Sequence, residues 1–209
     1  MPDVQSREQR IFPYFHLTLR RRFYFDRNEA PVFTLTQSNG MNWWLFPLTG
    51  LIPLLVGAVY YNERVVGGMW MRATGLSADR LRQGNMAVIF GMAYLFSILV
   101  ALMLSAQVIH QMSIGSLLME VPGWGEEGSE VMQQLTALEE RTGIMSRHRT
   151  FGHGFFHGIL VAVVFVGPIL AINALFERRR WNYVLIHVGY WTVTLALMGG
   201  VLCQFLKLG

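Results

Sequence analysis

The sequence predicts an all-α polytopic integral membrane protein: four transmembrane helices, with an amphipathic helix in the long loop between helices two and three. Three observations carry this. Only 14% of the 209 residues are charged and 53% are hydrophobic, against roughly 25% charged in a soluble globular domain. The charges are segregated, with none in residues 43–61 or 86–109, as expected where a charge at the bilayer centre costs several kcal/mol. Finally, four stretches are long and apolar enough to span, at about 43–61, 85–109, 155–176 and 183–206.

Residues 1–40 stand apart from the membrane domain at 41–209. They mix Pro13, Pro31, three arginines (Arg20, Arg21, Arg22) and scattered aromatics without sustained periodicity. They contain no apolar core of signal-peptide length. Met41, followed at once by NWWLFPLTG, reads as a natural start, which would make the first 40 residues an upstream extension; a cytosolic or surface arm is the rival reading.

The first span carries Pro47 and Pro53, which membrane helices tolerate when neighbours satisfy the freed carbonyls. Gly50 and Gly57, seven apart, share a face that admits a close helix neighbour. The loop at 62–84 holds Arg64, Arg72, Arg80 and Arg82 against Glu63 and Asp79, and Ser77 is placed to cap a short helix over 79–82. The second span packs through Gly91, Ser97, Ala101 and Ser105 and ends at His110. The long loop at 111–150 has six acidic residues against three arginines. Within it, Val131, Met132, Leu135 and Leu138 fall on one side of a helix over 129–141, with Gly143 as its stop.

The third span opens with His153 and His157 among Gly152, Gly154 and Gly158, and closes at Glu177 and the run Arg178, Arg179, Arg180. The connection to the fourth span is so short that the two helices must be antiparallel neighbours. Seven arginines lie in the two short loops, whereas three arginines and Lys207 lie in the long loop and C-terminus. By the positive-inside rule the short basic loops are cytoplasmic, with Arg178, Arg179 and Arg180 as topology determinants; the termini and the long acidic loop are outside. Counting the six arginines of the first 40 residues reverses the result. The net charge of +4 therefore reflects membrane topology, and no nucleic-acid partner is implied. The single cysteine, Cys203, excludes an internal disulfide framework or a multi-cysteine metal site.

The run HGFFHG, followed by PILAINALFERRRWNYVLIHVGYWTVTLALMGG, resembles the bacterial domain-of-unknown-function 1761 family. GGMWM at 67–71, downstream of Tyr60 and Tyr61 and running on to Gly75 and Leu76, is similar to its first hairpin. The resemblance covers about 41–205. It is most specific at 173–178, at Gly189 and Tyr190, and at Met198 and Gly199. It implies a four-helix protein of a bacterial inner membrane with no established activity, and it offers no catalytic residues to carry over.

The polar residues fall into two groups at opposite ends of the predicted bundle. On the outer side, His110, Gln111, His148, Arg149, His153, His157 and Gln204 gather. His153 and His157, at i and i+4, project from one helix face and, with His110, suit a transition metal or a haem. The competing explanation is that they are interfacial histidines bonded to the long loop. Gly154 and Gly158 form a GxxxG packing face for helix two or another subunit.

On the inner side, Glu63, Asn173, Glu177 and His187 are candidates for an ion or solute path, because intramembrane polar residues default to function. Interhelical hydrogen bonding and interfacial ion pairing explain the same residues without transport. No phosphate loop, nucleophile triad or dinucleotide fingerprint is present in a usable context, which argues against a hydrolase or dehydrogenase. The sequence thus points to a non-enzymatic membrane protein, either a small permease, channel component or accessory subunit that self-associates, or a redox subunit binding metal or haem through His110, His153 and His157.

Overall fold

The computed structural model describes residues 40–208. It is 75% helix, with no strand among the described residues. Ten α-helices follow in chain order: α1 Leu45–Thr49, α2 Ile52–Tyr60, α3 Gly68–Thr74, α4 Ala78–Arg82, α5 Met86–Val108, α6 Gln111–Leu118, α7 Glu130–Thr142, α8 Phe151–Leu160, α9 Gly167–Phe176 and α10 Trp181–Phe205. π-Helical stretches at Glu63–Gly67 and Val161–Val166 join α2 towards α3 and α8 to α9. The expectations for residues 1–39 lie outside the described residues.

Three helices are long and apolar enough to cross a membrane: Met86–Val108, Phe151–Phe176 and Trp181–Phe205. At 1.5 Å per residue each is about 35 Å or more long, sufficient for a hydrocarbon core of about 30 Å. Leu45–Tyr60 and Glu63–Thr74 reach the same standard only as a pair, bent by 57°.

Burial ranks the three long helices. In α10, 44% of the most apolar window is buried, against 17% in each of the other two, although α10 has the lowest mean hydropathy, 1.6. The least apolar of the three is therefore the central one, and its His187 and Tyr190 side chains bond to the Tyr61 hydroxyl and the Pro53 carbonyl of the first helical path. In α5 the arrangement is inverted relative to a soluble helix. Ser97, Ala101 and Ser105 are buried while Phe90, Leu95, Phe96, Leu99 and Met103 face outward. Large apolar residues outside and small ones inside suit a surrounding solvent as apolar as the core.

Side-chain caps set the starts of the long helices at Met86 and Phe151 and of two shorter ones. Asn85, Ser129 and Thr150 each accept a hydrogen bond from a first-turn backbone N–H, of Val88, Met132 and His153 respectively. The Thr150 cap starts the third long helix at Phe151, four residues before the predicted 155, so both histidines belong to its first two turns. Pro168 explains the π-helical stretch upstream. A proline has no N–H to donate and crowds the carbonyl four residues back; the Gly167 N–H instead reaches Ala162, five residues back. Ser77 caps the short helix as expected, its hydroxyl accepting from the Arg80 N–H at 3.3 Å.

The predicted loop at 62–84 is largely helical. Asn62 breaks the first helix with an extended backbone, and its side chain then caps the next turn by accepting from the Arg64 N–H at 3.0 Å. The helical path runs on to Thr74, where left-handed Gly75 ends it. Contacts at both ends match this path to α10. The Asn42 side chain donates to the Phe205 carbonyl (3.1 Å) and accepts from the Lys207 N–H (2.7 Å), whereas Arg179 Nη1 donates to the Thr74 carbonyl at 3.2 Å.

The glycine seam is also resolved. β-Carbons at Gly154 and Gly158 would collide with the Gly199 and Leu195 carbonyls, so α8 lies backbone to backbone on α10, and neither helix two nor another subunit is needed to fill that face. Gly50 and Gly57 do not admit one common neighbour. A β-carbon at Gly50 would press Ile98 of α5, and one at Gly57 would make an ordinary contact with Tyr190 of α10.

Candidate functional site

Two polar clusters lie at opposite ends of α10. At its C-terminal end the geometry brings His110, His153 and His157 together. Each offers a ring nitrogen, and the three nitrogens lie within 4.8 Å of one another. The Nε2 atoms of His110 and His153 share a hydrogen bond at 3.1 Å. Ring centroids are 5.1 Å apart for His110–His153, 4.8 Å for His110–His157 and 4.4 Å for His153–His157.

The backbone explains this convergence. Ile109 leaves helical geometry at the end of α5, and His110 occupies the corner before α6. The neighbouring Gln111 is buried, and its side-chain amide donates to the carbonyls of Ile144 (3.1 Å) and Arg147 (2.7 Å), tying the long loop to that corner. On the other side the glycine seam holds α8 against α10. His153 and His157 each precede a seam glycine by one position, about 100° around the helix, and so flank the seam towards His110. Only close approach at Gly154 and Gly158 puts those imidazoles within reach.

The rest of the outer set has structural work. Arg149 donates to the Leu206 carbonyl, fixing the end of α10, and burial pulls its guanidinium below the usual arginine pKa. Cys203 is buried, and its thiol donates to the His148 carbonyl at 3.3 Å. Gln204 is exposed.

Two nitrogens bound at about 2.0–2.1 Å around a tetrahedral ion stand about 3.3 Å apart, and imidazole centroids around a common ion about 5 Å apart. The His110–His153 nitrogen separation of 3.1 Å and the ring centroids at 4.4–5.1 Å lie close to these values, and all three nitrogens lie within 4.8 Å of one another. Three imidazoles without a carboxylate are a donor set that suits zinc, copper, nickel or cobalt rather than magnesium or calcium.

At the other end of α10, tyrosines surround His187. Its Nδ1 shares a hydrogen bond with the Tyr61 hydroxyl at 3.1 Å, while its Nε2 is buried with no partner. The Tyr60 hydroxyl donates to the Ile186 carbonyl (3.1 Å) and the Tyr190 hydroxyl to the Pro53 carbonyl (2.9 Å). Tyr183 packs edge-on to His187, and Trp70 closes the group against Tyr61.

The four inner candidates do not assemble. Glu63, Asn173 and Glu177 are exposed, and among the described residues no side-chain hydrogen bond or ion pair joins any two of Glu63, Asn173, Glu177 and His187. Glu177 pairs instead with Arg179 at 3.4 Å, and left-handed Arg178 turns the chain from α9 into α10. The closeness of Tyr61 to His187 was not legible locally; the recognisable signal was the presence of Tyr60 and Tyr61 at the end of one apolar stretch and His187 and Tyr190 near the start of another.

Residues 46–203 match a protein-family model described as "Protein of unknown function (DUF1761)". No curated protein and no solved structure matches the chain.

Proposed function

The chain belongs to the DUF1761 family of proteins of unknown function, and from that premise we propose that it is a membrane-embedded metal-binding protein. Its site is the His110, His153 and His157 cluster, and its ligand is a divalent transition-metal ion such as zinc. The observation that carries this reading is the convergence of three imidazoles from two separate parts of the chain, at spacings that suit one ion. Such a site on a membrane subunit serves either metal-assisted chemistry or electron transfer, depending on the ion loaded.

The membrane arrangement that goes with this reading has four spans, the first being the bent path from Leu45 to Thr74. Its support is the match of that path to the full length of α10, from the Asn42 contacts to the Arg179 contact. The basic short connections then face the cytoplasm, and the histidine end faces outside beneath the long loop. In that loop, α7 is an amphipathic cap whose buried Leu135 faces inward. The inner polar residues give a permease no comparable support, since they do not meet.

Metal analysis tests the reading. The full chain purified in detergent and dialysed against excess zinc is expected to retain one zinc ion per chain. His153→Ala and His157→Ala are expected to retain none while eluting as folded protein. Zinc at about 100 times its dissociation constant should stabilise the wild type by ~2.7 kcal/mol and leave His153→Ala unmoved. A wild-type preparation that stays metal-free and shows no thermal response would sink it.

A further inference from the structure

Beside the three converging histidines lies a fourth. His148 is stacked on His153, with ring centroids 4.9 Å apart and planes 23° from parallel. That separation matches the spacings within the trio, 4.4–5.1 Å. Its nitrogens do not join the group that converges within 4.8 Å, so its ring stands next to the site rather than in it.

Its backbone is held from several directions. His148 has φ +65°, one of two non-glycine residues with positive φ among those described. This left-handed region is uncommon for a side chain with a β-carbon, although histidine is among the residues enriched there. The His148 carbonyl accepts from the Cys203 thiol of α10 (3.3 Å) and from the Thr150 N–H (2.9 Å). The adjoining Arg147 carbonyl accepts from Gln111, the residue after His110, at 2.7 Å. Elements carrying the trio therefore also fix His148. A strained backbone held by this many partners is the kind of observation that points to function.

We propose that His148 is the fourth ligand of the metal site, its side chain turning from the His153 ring into the open position when an ion is bound. This rests on the reading of His110, His153 and His157 as metal ligands and extends it. Three imidazoles leave one position of a tetrahedral ion open, which water or substrate fills in catalytic sites, whereas a fourth protein ligand closes the shell. The stacked position is a resting place: the ring is exposed and needs only side-chain rotation, the backbone staying in place. A closed shell of four neutral nitrogen donors would hold an ion for structure or electron transfer and leave no water on it to activate. This divides the two uses left open for the site.

Cobalt(II), a zinc substitute whose visible bands are intense when four-coordinate and weak when six-coordinate, is the probe. The full chain in detergent is titrated with cobalt(II) as wild type, His148→Gly, His148→Asn and His153→Ala. Glycine and asparagine both accept the left-handed backbone, so these substitutions remove the imidazole without forcing the loop to move. Circular dichroism of the metal-free proteins checks that it has not.

The expected result is an intense spectrum for the wild type. Both His148 variants should bind with affinity reduced about tenfold or more and with intense bands that are shifted and become pH-dependent, because water takes the fourth position, and His153→Ala should show little binding. Two results overturn the fourth ligand and leave the trio intact: His148 variants with wild-type bands and affinity, or a wild type that binds cobalt with only weak bands. Absence of cobalt binding by the folded wild type would overturn the trio as well.

Discussion

The two halves of α10 meet their partners by opposite means. In the C-terminal half, glycines let α8 approach until backbone touches backbone, with no room for a β-carbon at Gly154 or Gly158. In the N-terminal half the partner is the bent helix, and the gap is filled by Trp70 and by Tyr60, Tyr61 and Tyr190, whose hydroxyls reach carbonyls or His187. The close half projects its histidines sideways from the seam, where they meet His110. The aromatic half turns its polar atoms inward on one another and leaves the charged residues outside. At the close end three imidazoles converge, whereas at the aromatic end a single imidazole, His187, bonds to Tyr61 and leaves its Nε2 without a partner. This is why the site is assigned to one end although both ends contain histidine.

The largest effect is expected at the seam. Gly154→Leu would drive a side chain into the Gly199 carbonyl and the Cys203 β-carbon. The obstacle is backbone, so the cost should reach or exceed the roughly 1–3 kcal/mol usual for overpacking. Zinc retention should disappear with it. Loss of the monodisperse peak in size-exclusion chromatography is the readout, and a folded, zinc-binding variant would refute the close approach.

At the aromatic end the comparison predicts a smaller penalty. Tyr61→Phe keeps the ring contacts with Trp70 and Tyr190 but removes the hydroxyl bonded to His187, costing about 1 kcal/mol. Thermal unfolding in detergent would register this, and zinc binding should be unchanged because the two ends share no ligand. A zinc defect in Tyr61→Phe would show that the ends are coupled.

The smallest effect is expected at the charged turn. Glu177 and Arg179 form an exposed pair, with 54% and 42% of the side chains accessible, so Glu177→Gln should change stability by less than about 1 kcal/mol. In a proteoliposome screen it should alter no ion flux. A specific flux abolished by this substitution would restore the inner residues as a functional path.

Much of the architecture was legible because burial in lipid leaves a one-dimensional mark. Uncharged runs marked the long helices to within a few residues, and the Ser77 and Gly143 capping signals were read correctly because a cap depends on residues one turn apart. The stretch after the first helix was misjudged. The charges of Glu63 and Arg64 suggested a loop, but Asn62 restarts the helix by capping it, and the path continues to Thr74.

By itself, then, the sequence determined helices long and apolar enough to cross a membrane and carried the match to the DUF1761 family, and local spacing named the histidines. Which helix faces the glycine seam, and whether residues 43 positions apart such as His110 and His153 touch, only the tertiary structure decided. The physical reason lies in the long helices themselves, which are apolar around most of their circumference. Their hydropathy therefore fixes how deeply they insert while saying little about rotation. Rotation is set by steric fit, in which Gly154 and Gly158 meet Gly199 and Leu195 and so turn the two histidines of the opening stretch towards the third.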